Sequence, residues 1–304
     1  MRGFCGRTAS GLGLGLRLGL GLLGAAGPGL AQPSPPSVPA PLRCLERYYG
    51  VRAELAAAAP GATPRWYARL PDGRRVLYDD GRDKPPPQRL DEADLEDMFS
   101  QRYPTGPIGP VTTVDQDPGR YRVDALFQAR YGATPRAIPV VPFVLFGTQL
   151  RVHRLVEPAF TRVRDRLVAL VTAQPALRSY FARMGGTLVF RNIAGTSRRS
   201  AHSYGVSLDI NVGRSHYWRW QRPRTPLAWK NDIPQPIVDA FEAEGFIWGG
   251  RWYHYDTMHF EYRPELLDAA CYPAAPAAPA PAAPSAKTAL SPAAAWPFPT
   301  GNKP

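Results

Sequence analysis

Two short stretches of this chain alternate apolar and polar side chains in a way that only two-faced strands satisfy. In residues 205–212 (GVSLDINV), Val206, Leu208, Ile210 and Val212 take every second position. Ser207, Asp209 and Asn211 take the places between. Successive side chains of a strand point to opposite faces, so the aliphatics belong to a core and Asp209 to a cleft. In the second stretch Met258, Phe260 and Tyr262 face one way, and His259 and Glu261 the other. If the two strands are neighbours, Asp209 and His259 share a face. His202, in the loop entering the first strand, can complete a set of three.

Two imidazoles and one carboxylate around an open fourth position are the donor set of a catalytic zinc site. A closed structural site would more often use four ligands and several thiolates. The chain therefore predicts a Zn2+ cofactor held by His202, Asp209 and His259. Asp256 lies three residues before His259 and belongs in the turn ahead of that strand. There its carboxylate can reach over the open position as a general base. Glu261 is on the ligand face and either orients a ligand imidazole or serves as an alternative base. His254 competes with His259 for the metal, although Tyr253 and Tyr255 lack the same alternation. His153 and His216 have no partner pattern and read as structural.

The chain has 304 residues, enough for one sizeable domain or two small ones. Residues 1–31 have a basic start (Arg2, Arg7), a Leu/Gly run and small residues at Gly29 and Ala31, the layout of a secretory signal peptide. Arg17 and the glycines argue against a stable membrane span after export. Residues 32–42 are proline-rich and predict a linker, with order beginning near Arg43. Beyond Cys271 the composition turns to Ala and Pro, and residues 273–304 predict a disordered tail. Cys5 would leave with the signal. Cys44 and Cys271 then remain at the two ends of the globular part, an expected disulfide in an oxidising compartment.

The formal charge is +12, and removing Arg2, Arg7 and Arg17 leaves about +9, almost all of it arginine. Such a surface suits an anionic cell-wall polymer or lipid headgroups, and a merely solvated arginine-rich surface explains it as well. No nucleic-acid motif is present. Between the ends, residues 66–78 predict a hairpin turning at Pro71-Asp-Gly73. Residues 91–99 predict a helix, 103–120 a loop, and 140–152 a strand or hairpin bending at Gly147. A helix opens at Glu157 with Pro158 in its first turn and buries Phe160, Val163, Leu167, Leu170 and Val171. Residues 187–191 predict a strand, and 236–244 a short helix stopped by Gly245.

The elements SAHSYGVSLD (200–209), WGGRW (248–252) and DTMHFE (256–261) resemble zinc peptidases that include D-alanyl-D-alanine carboxypeptidases and L-alanyl-D-glutamate endopeptidases. That family shares its fold with the hedgehog signalling domain. Its S-x-H-x-x-G-x-x-x-D element falls on Ser200, His202, Gly205 and Asp209, and its D/E-x-x-H element on Asp256 and His259. The resemblance implies zinc ligation by His202, Asp209 and His259 and catalysis by Asp256. It is close over residues 190–262, with a fainter echo in residues 124–132.

An arginine upstream of the first histidine commonly meets substrate in this family. Arg191 is the expected binder of a substrate carboxylate or oxyanion, with Arg198 as rival, and Ser200 is a further substrate-binding candidate. Trp248 and Trp252 either wall the cleft or belong to the core. The family's dipeptidase branch has glutamate where this chain has Asp256, so the resemblance favours peptidoglycan stem peptide as substrate.

The expected whole is an exported, periplasmic or cell-envelope α+β domain over residues 43–272. A small antiparallel sheet carries zinc, with helices on its other face, and the chain acts as a monomer. A non-catalytic zinc-containing cell-wall binding module is the alternative.

Overall fold

The computed structural model describes residues 36–57, 62–221 and 226–272. Residues 1–35, which hold the expected signal and the first four residues of the expected linker, and the Ala/Pro-rich stretch from residue 273 lie outside them. Helix α1 (Ala40–Tyr49) starts three residues inside the stretch expected to be linker. Pro41 sits in its first turn, where a missing N–H does no harm, and Gly50 ends it at φ 70°. Its Leu42, Leu45 and Tyr49 are buried, and that burial, which the prolines around them conceal in the sequence, is why the helix begins early. On α1, Cys44 joins Cys271 in the expected disulfide, closing a loop of sequence separation 227.

Strands β1 (Arg52–Ala56), β2 (Arg65–Arg69) and β3 (Arg75–Leu77) form an antiparallel meander, with the predicted turn at Gly73 between the last two. The helix expected over 91–99 does not form. Helix α2 spans Pro86–Glu92 instead, and a 3₁₀ turn covers Asp97–Phe99. The cause is local competition for backbone donors. The Asp97 N–H donates to Asp94 Oδ1 and the Asp94 N–H to Asp97 Oδ2, at 3.0 and 3.1 Å. The same two carboxylates, with Asp80, surround the fully buried Lys84 ammonium at 2.6–3.1 Å. Leu95, Met98 and Phe99 are nevertheless buried, as the spacing predicts.

Residues 103–120 are irregular, as expected, and lead into α3 (Asp124–Tyr131). Strands β4 (Val140–Leu145) and β5 (Thr148–His153) make the predicted hairpin. Phe146 and Gly147 both take positive φ in its two-residue loop, which matches the twist of the strands. Helix α4 (Glu157–Ala173) follows with Pro158 in its first turn and Phe160, Val163 and Leu167 buried.

A four-stranded antiparallel sheet carries the second half of the chain. It joins β6 (Met184–Gly186), β7 (Ser207–Asn211), β8 (Phe246–Trp248) and β9 (His259–Tyr262) in the order β6-β7-β9-β8. The strand expected over 187–191 is displaced to β6. Residues 187–191 make only scattered bonds, Val189 N–H to His202 O and Ser200 N–H to Arg191 O at 3.1 Å each, because the segment opposite them is a 3₁₀ turn. Helix α5 (Gln235–Glu242) buries Ile237 and Phe241, and Gly245 follows it at φ 89°. The short α6 (Pro264–Leu267) leads to Cys271.

Register gives the sheet two faces. Leu208, Phe260 and Trp248 lie abreast, as do Tyr262 and Phe246, and helices α4 and α5 cover this side. Phe241 stacks on Phe260 with ring centres 3.9 Å apart, and Phe160 meets Phe246 at 4.7 Å. The opposite face presents Asp209, His259 and Glu261. This is the expected α+β architecture: α4 and α5 cover the aromatic side of the sheet, while α1 and α3 meet Glu265, Arg122 and Arg263 through Tyr49 and Phe127. Among the described residues no helix is long and apolar enough to cross a membrane.

Two consequences for stability can be measured. Replacing both Cys44 and Cys271 with serine frees a long loop in the unfolded chain, and urea denaturation should show a loss of about 2–5 kcal/mol. His153 is fully buried, with Nδ1 accepting from the Leu155 N–H and Nε2 against Tyr131 O, both at 3.1 Å. Burial pulls its pKa from 6.5 down to about 4. The unfolded chain therefore takes up this proton first, so the stabilisation is complete above about pH 6.5 and fades as pH falls toward 4. The loss is at most about 3 kcal/mol. His153→Gln should remove that part of the pH slope in parallel denaturation curves.

Candidate metal centre

His202 sits in the 3₁₀ turn Ala201–Tyr204, which Gly205 ends at φ 68°. A side chain at Gly205 would be strained by that φ, and its Cβ would come within 3.0 Å of the His153 amide nitrogen. The turn delivers His202 directly above β7. Asp209 of β7 and His259 of β9 are register partners across the sheet. Three donor atoms thus converge. Asp209 Oδ1 is 3.0 Å from His202 Nε2 and 2.9 Å from His259 Nδ1, and the two ring nitrogens are 3.2 Å apart.

The surrounding groups fit a cation at this point. His259 Nε2 faces Glu261 Oε2 at 3.3 Å, so its proton belongs on that side and the Nδ1 lone pair turns inward. Glu261 is itself held by Arg122 at 3.0 Å and Arg263 at 3.4 Å. Arg263 is fully buried and bonds Glu265 at 2.6 Å, which accepts from the Tyr49 hydroxyl at 3.0 Å. Burial alone would raise the Glu261 carboxyl, but Arg122, His259 and Arg263 outweigh it and hold it well below the usual range. Both its oxygens are committed to these partners, which leaves it supporting His259. Burial likewise opposes charge on His259, yet Asp209 and Glu261 push it up to about 10. A metal ion bound here would take the place of the proton on His259 Nδ1, and two nitrogens with one carboxylate oxygen suit zinc among the divalent metals.

Asp256 stands immediately before β9, where the sequence places it. Its backbone bridges to Tyr217 and donates to Gly249 O at 3.0 Å. Its Oδ1 is buried and has no hydrogen-bond partner, an expensive state for a carboxylate. Burial and the nearby charge of Asp209 push its pKa up to about 7.

Asp256 and the three converging residues share one cavity of 340 Å³. Arg191 and Ser200 also line it, Arg191 exposed and Ser200 buried. Arg198 lines it too, with its side chain 12% exposed and 3.3 Å from Asp91. Trp252 is on the wall, its ring 5.8 Å from that of His259, whereas Trp248 is core and donates to Thr257 O. His254 does not join the convergence. Its Nδ1 lies 2.6 Å from Asp117 and its ring against Trp218. His216 lies 2.8 Å from Asp232, away from the centre.

The sequence gives no warning of the facing wall, where Arg120, Arg122, Tyr217, Trp218 and Trp220 stand. They come from irregular segments without periodicity. The one available signal is the density of arginine and aromatic residues around them.

A peptidase is the class to which the comparison with known families assigns this stretch. Residues 194–262, which hold His202, Asp209, Asp256 and His259, match the family model described as D-alanyl-D-alanine carboxypeptidase. The match supports the zinc DD-peptidase family whose motifs the sequence resembles. No solved structure matches the chain.

If Glu261 fixes His259 for a cation, Glu261→Gln should weaken metal binding about 10–100-fold. Competition against a chromophoric chelator reads that change directly.

Proposed function

We propose that this chain is an exported zinc-dependent peptidase that hydrolyses amide bonds of peptidoglycan stem peptides, as a D-Ala-D-Ala carboxypeptidase or an L-Ala-D-Glu endopeptidase. The observation that carries this reading is the buried, unpartnered Oδ1 of Asp256 beside the convergence of His202, Asp209 and His259. The peptidase domain spans residues 43–272, with α1 extending its start to Ala40, and acts as a monomer. Export rests on the character of residues 1–31 and on the Cys44–Cys271 bridge, a bond of oxidising compartments.

His202, Asp209 and His259 would hold the zinc. When bound, zinc polarises the scissile carbonyl and makes water acidic enough to attack near neutral pH. Asp256 Oδ1 takes the proton from the attacking water and returns it to the nitrogen of the leaving amine. A carboxyl poised near neutrality can do both. Glu261 keeps the His259 lone pair directed inward. Arg191, exposed on the cavity wall, binds a substrate carboxylate or the oxyanion, and Ser200 lines the approach beside His202. Trp252, buried on the cavity wall with its ring 5.8 Å from that of His259, keeps water from that side of the imidazole. The non-catalytic alternative has no use for an acid buried with a free oxygen at this position.

Asp256→Asn removes the proton carrier and nearly preserves the shape. Its hydrolysis of purified muropeptides should fall about 10²–10⁴-fold, while elemental analysis shows zinc content unchanged. Mass spectrometry of the products identifies the bond cut. Zinc-loaded wild-type protein that leaves every muropeptide intact would instead support the binding module.

A further inference from the structure

The cavity opens on one side onto an aromatic ledge that the peptidase chemistry does not use. Tyr217, Trp218 and Trp220 form it, the last two within the 3₁₀ turn Trp218–Trp220. Trp220 is 57% exposed, and among the described residues no other large exposed hydrophobic lines this cavity. By contrast Trp248 and Trp252, close by, are buried.

The ledge is rigid. Tyr217 bridges to Asp256, and the Trp218 N–H donates to Tyr255 O at 3.0 Å. Arg219 lies over the Trp218 ring at 5.1 Å and donates to Ala194 O at 2.9 Å, tying the ledge to another segment that lines the cavity. His254 takes the Trp218 ring edge-on. Tyr217 meets Trp220 at 86° with ring centres 5.8 Å apart, which steadies Trp220 and leaves most of it open. An exposed indole, next in sequence to the exposed Arg219 and sharing its cavity with the exposed Arg191, is a surface for a flat ligand with one apolar face and polar edges.

We propose that this ledge binds a sugar ring of the glycan strand, an N-acetylated aminosugar, so that the stem peptide reaches the metal centre while still attached to its sugar. The inference rests on the cell-wall reading of the site. A pyranose offers a face of C–H groups to the indole and presents hydroxyl, acetamido and carboxylate groups at its edge to arginine. A free stem peptide offers no comparable flat apolar ring. The position fits as well. Trp220 is three residues from Tyr217, hence within about 11 Å of it along even an extended chain, and Tyr217 is the backbone partner of Asp256. A sugar on the ledge and an amide bond at Asp256 can therefore belong to one substrate molecule.

Saturation-transfer NMR with the β-1,4-linked N-acetylglucosaminyl-N-acetylmuramic acid disaccharide, without any peptide, tests the ledge apart from catalysis. The wild-type protein should pass saturation to the sugar ring protons, and Trp220→Ala should lose most of it. Because Trp220 is exposed, the variant should keep the wild-type near-ultraviolet dichroism apart from that one indole. Kinetics supply the second arm. Trp220→Ala should raise KM for the disaccharide-linked stem peptide about 3–10-fold, the strength of one aromatic contact. KM for the same peptide without sugar should not move. Absence of saturation transfer, transfer unchanged in Trp220→Ala, or an equal effect on both substrates would overturn the proposal. If neither substrate is cut, the peptidase reading fails, and the NMR result still decides the ledge.

Discussion

The pairing of β7 with β9 is the constraint from which the rest of the structure follows. Asp209 opposite His259 sets the donor atoms 2.9 Å apart. The same register puts Leu208 beside Phe260 on the reverse side, where α4 and α5 cover them. A one-residue slip would exchange the two faces, sending carboxylate and imidazole into the aromatic core. The convergence of the three donors and the core packing therefore select the same register.

The polar face is expensive to bury and is stabilised in successive layers. His259 leans on Glu261, Glu261 on Arg122 and Arg263, Arg263 on Glu265, and Glu265 on Tyr49 of α1. Along this chain of partners each buried charge meets an opposite one, the condition under which such groups persist in a protein interior. Helix α1 is thereby linked through hydrogen bonds to the candidate metal centre, although little in its own sequence marks it as functional.

What could be read in advance was what is encoded locally. A period of two reveals Asp209, His259 and the committed side of Glu261, because pleating converts sequence parity into direction. Spacing before a strand reveals Asp256. Residues 187–191 mislead because β-prone side chains say nothing about whether a partner strand is available. Residues 91–99 mislead because Asp94 and Asp97 satisfy one another's backbone and a buried lysine, which no helical periodicity records. The wall of Arg120, Arg122, Tyr217 and Trp220 exists only through long-range contacts such as the Tyr253 N–H to Gln116 O at 2.8 Å. Nothing periodic announces it.

The bridge between Cys44 and Cys271 has a mechanical consequence. Its two Cα atoms are 5.4 Å apart, and the chain between them is a closed loop. Tension entering through the segment before Cys44 and leaving through the segment after Cys271 passes across one covalent bond. The sheet, the candidate metal centre and the cavity lie inside the loop, off that covalent path. A strained attachment at either end would leave the distances among His202, Asp209 and His259 undisturbed.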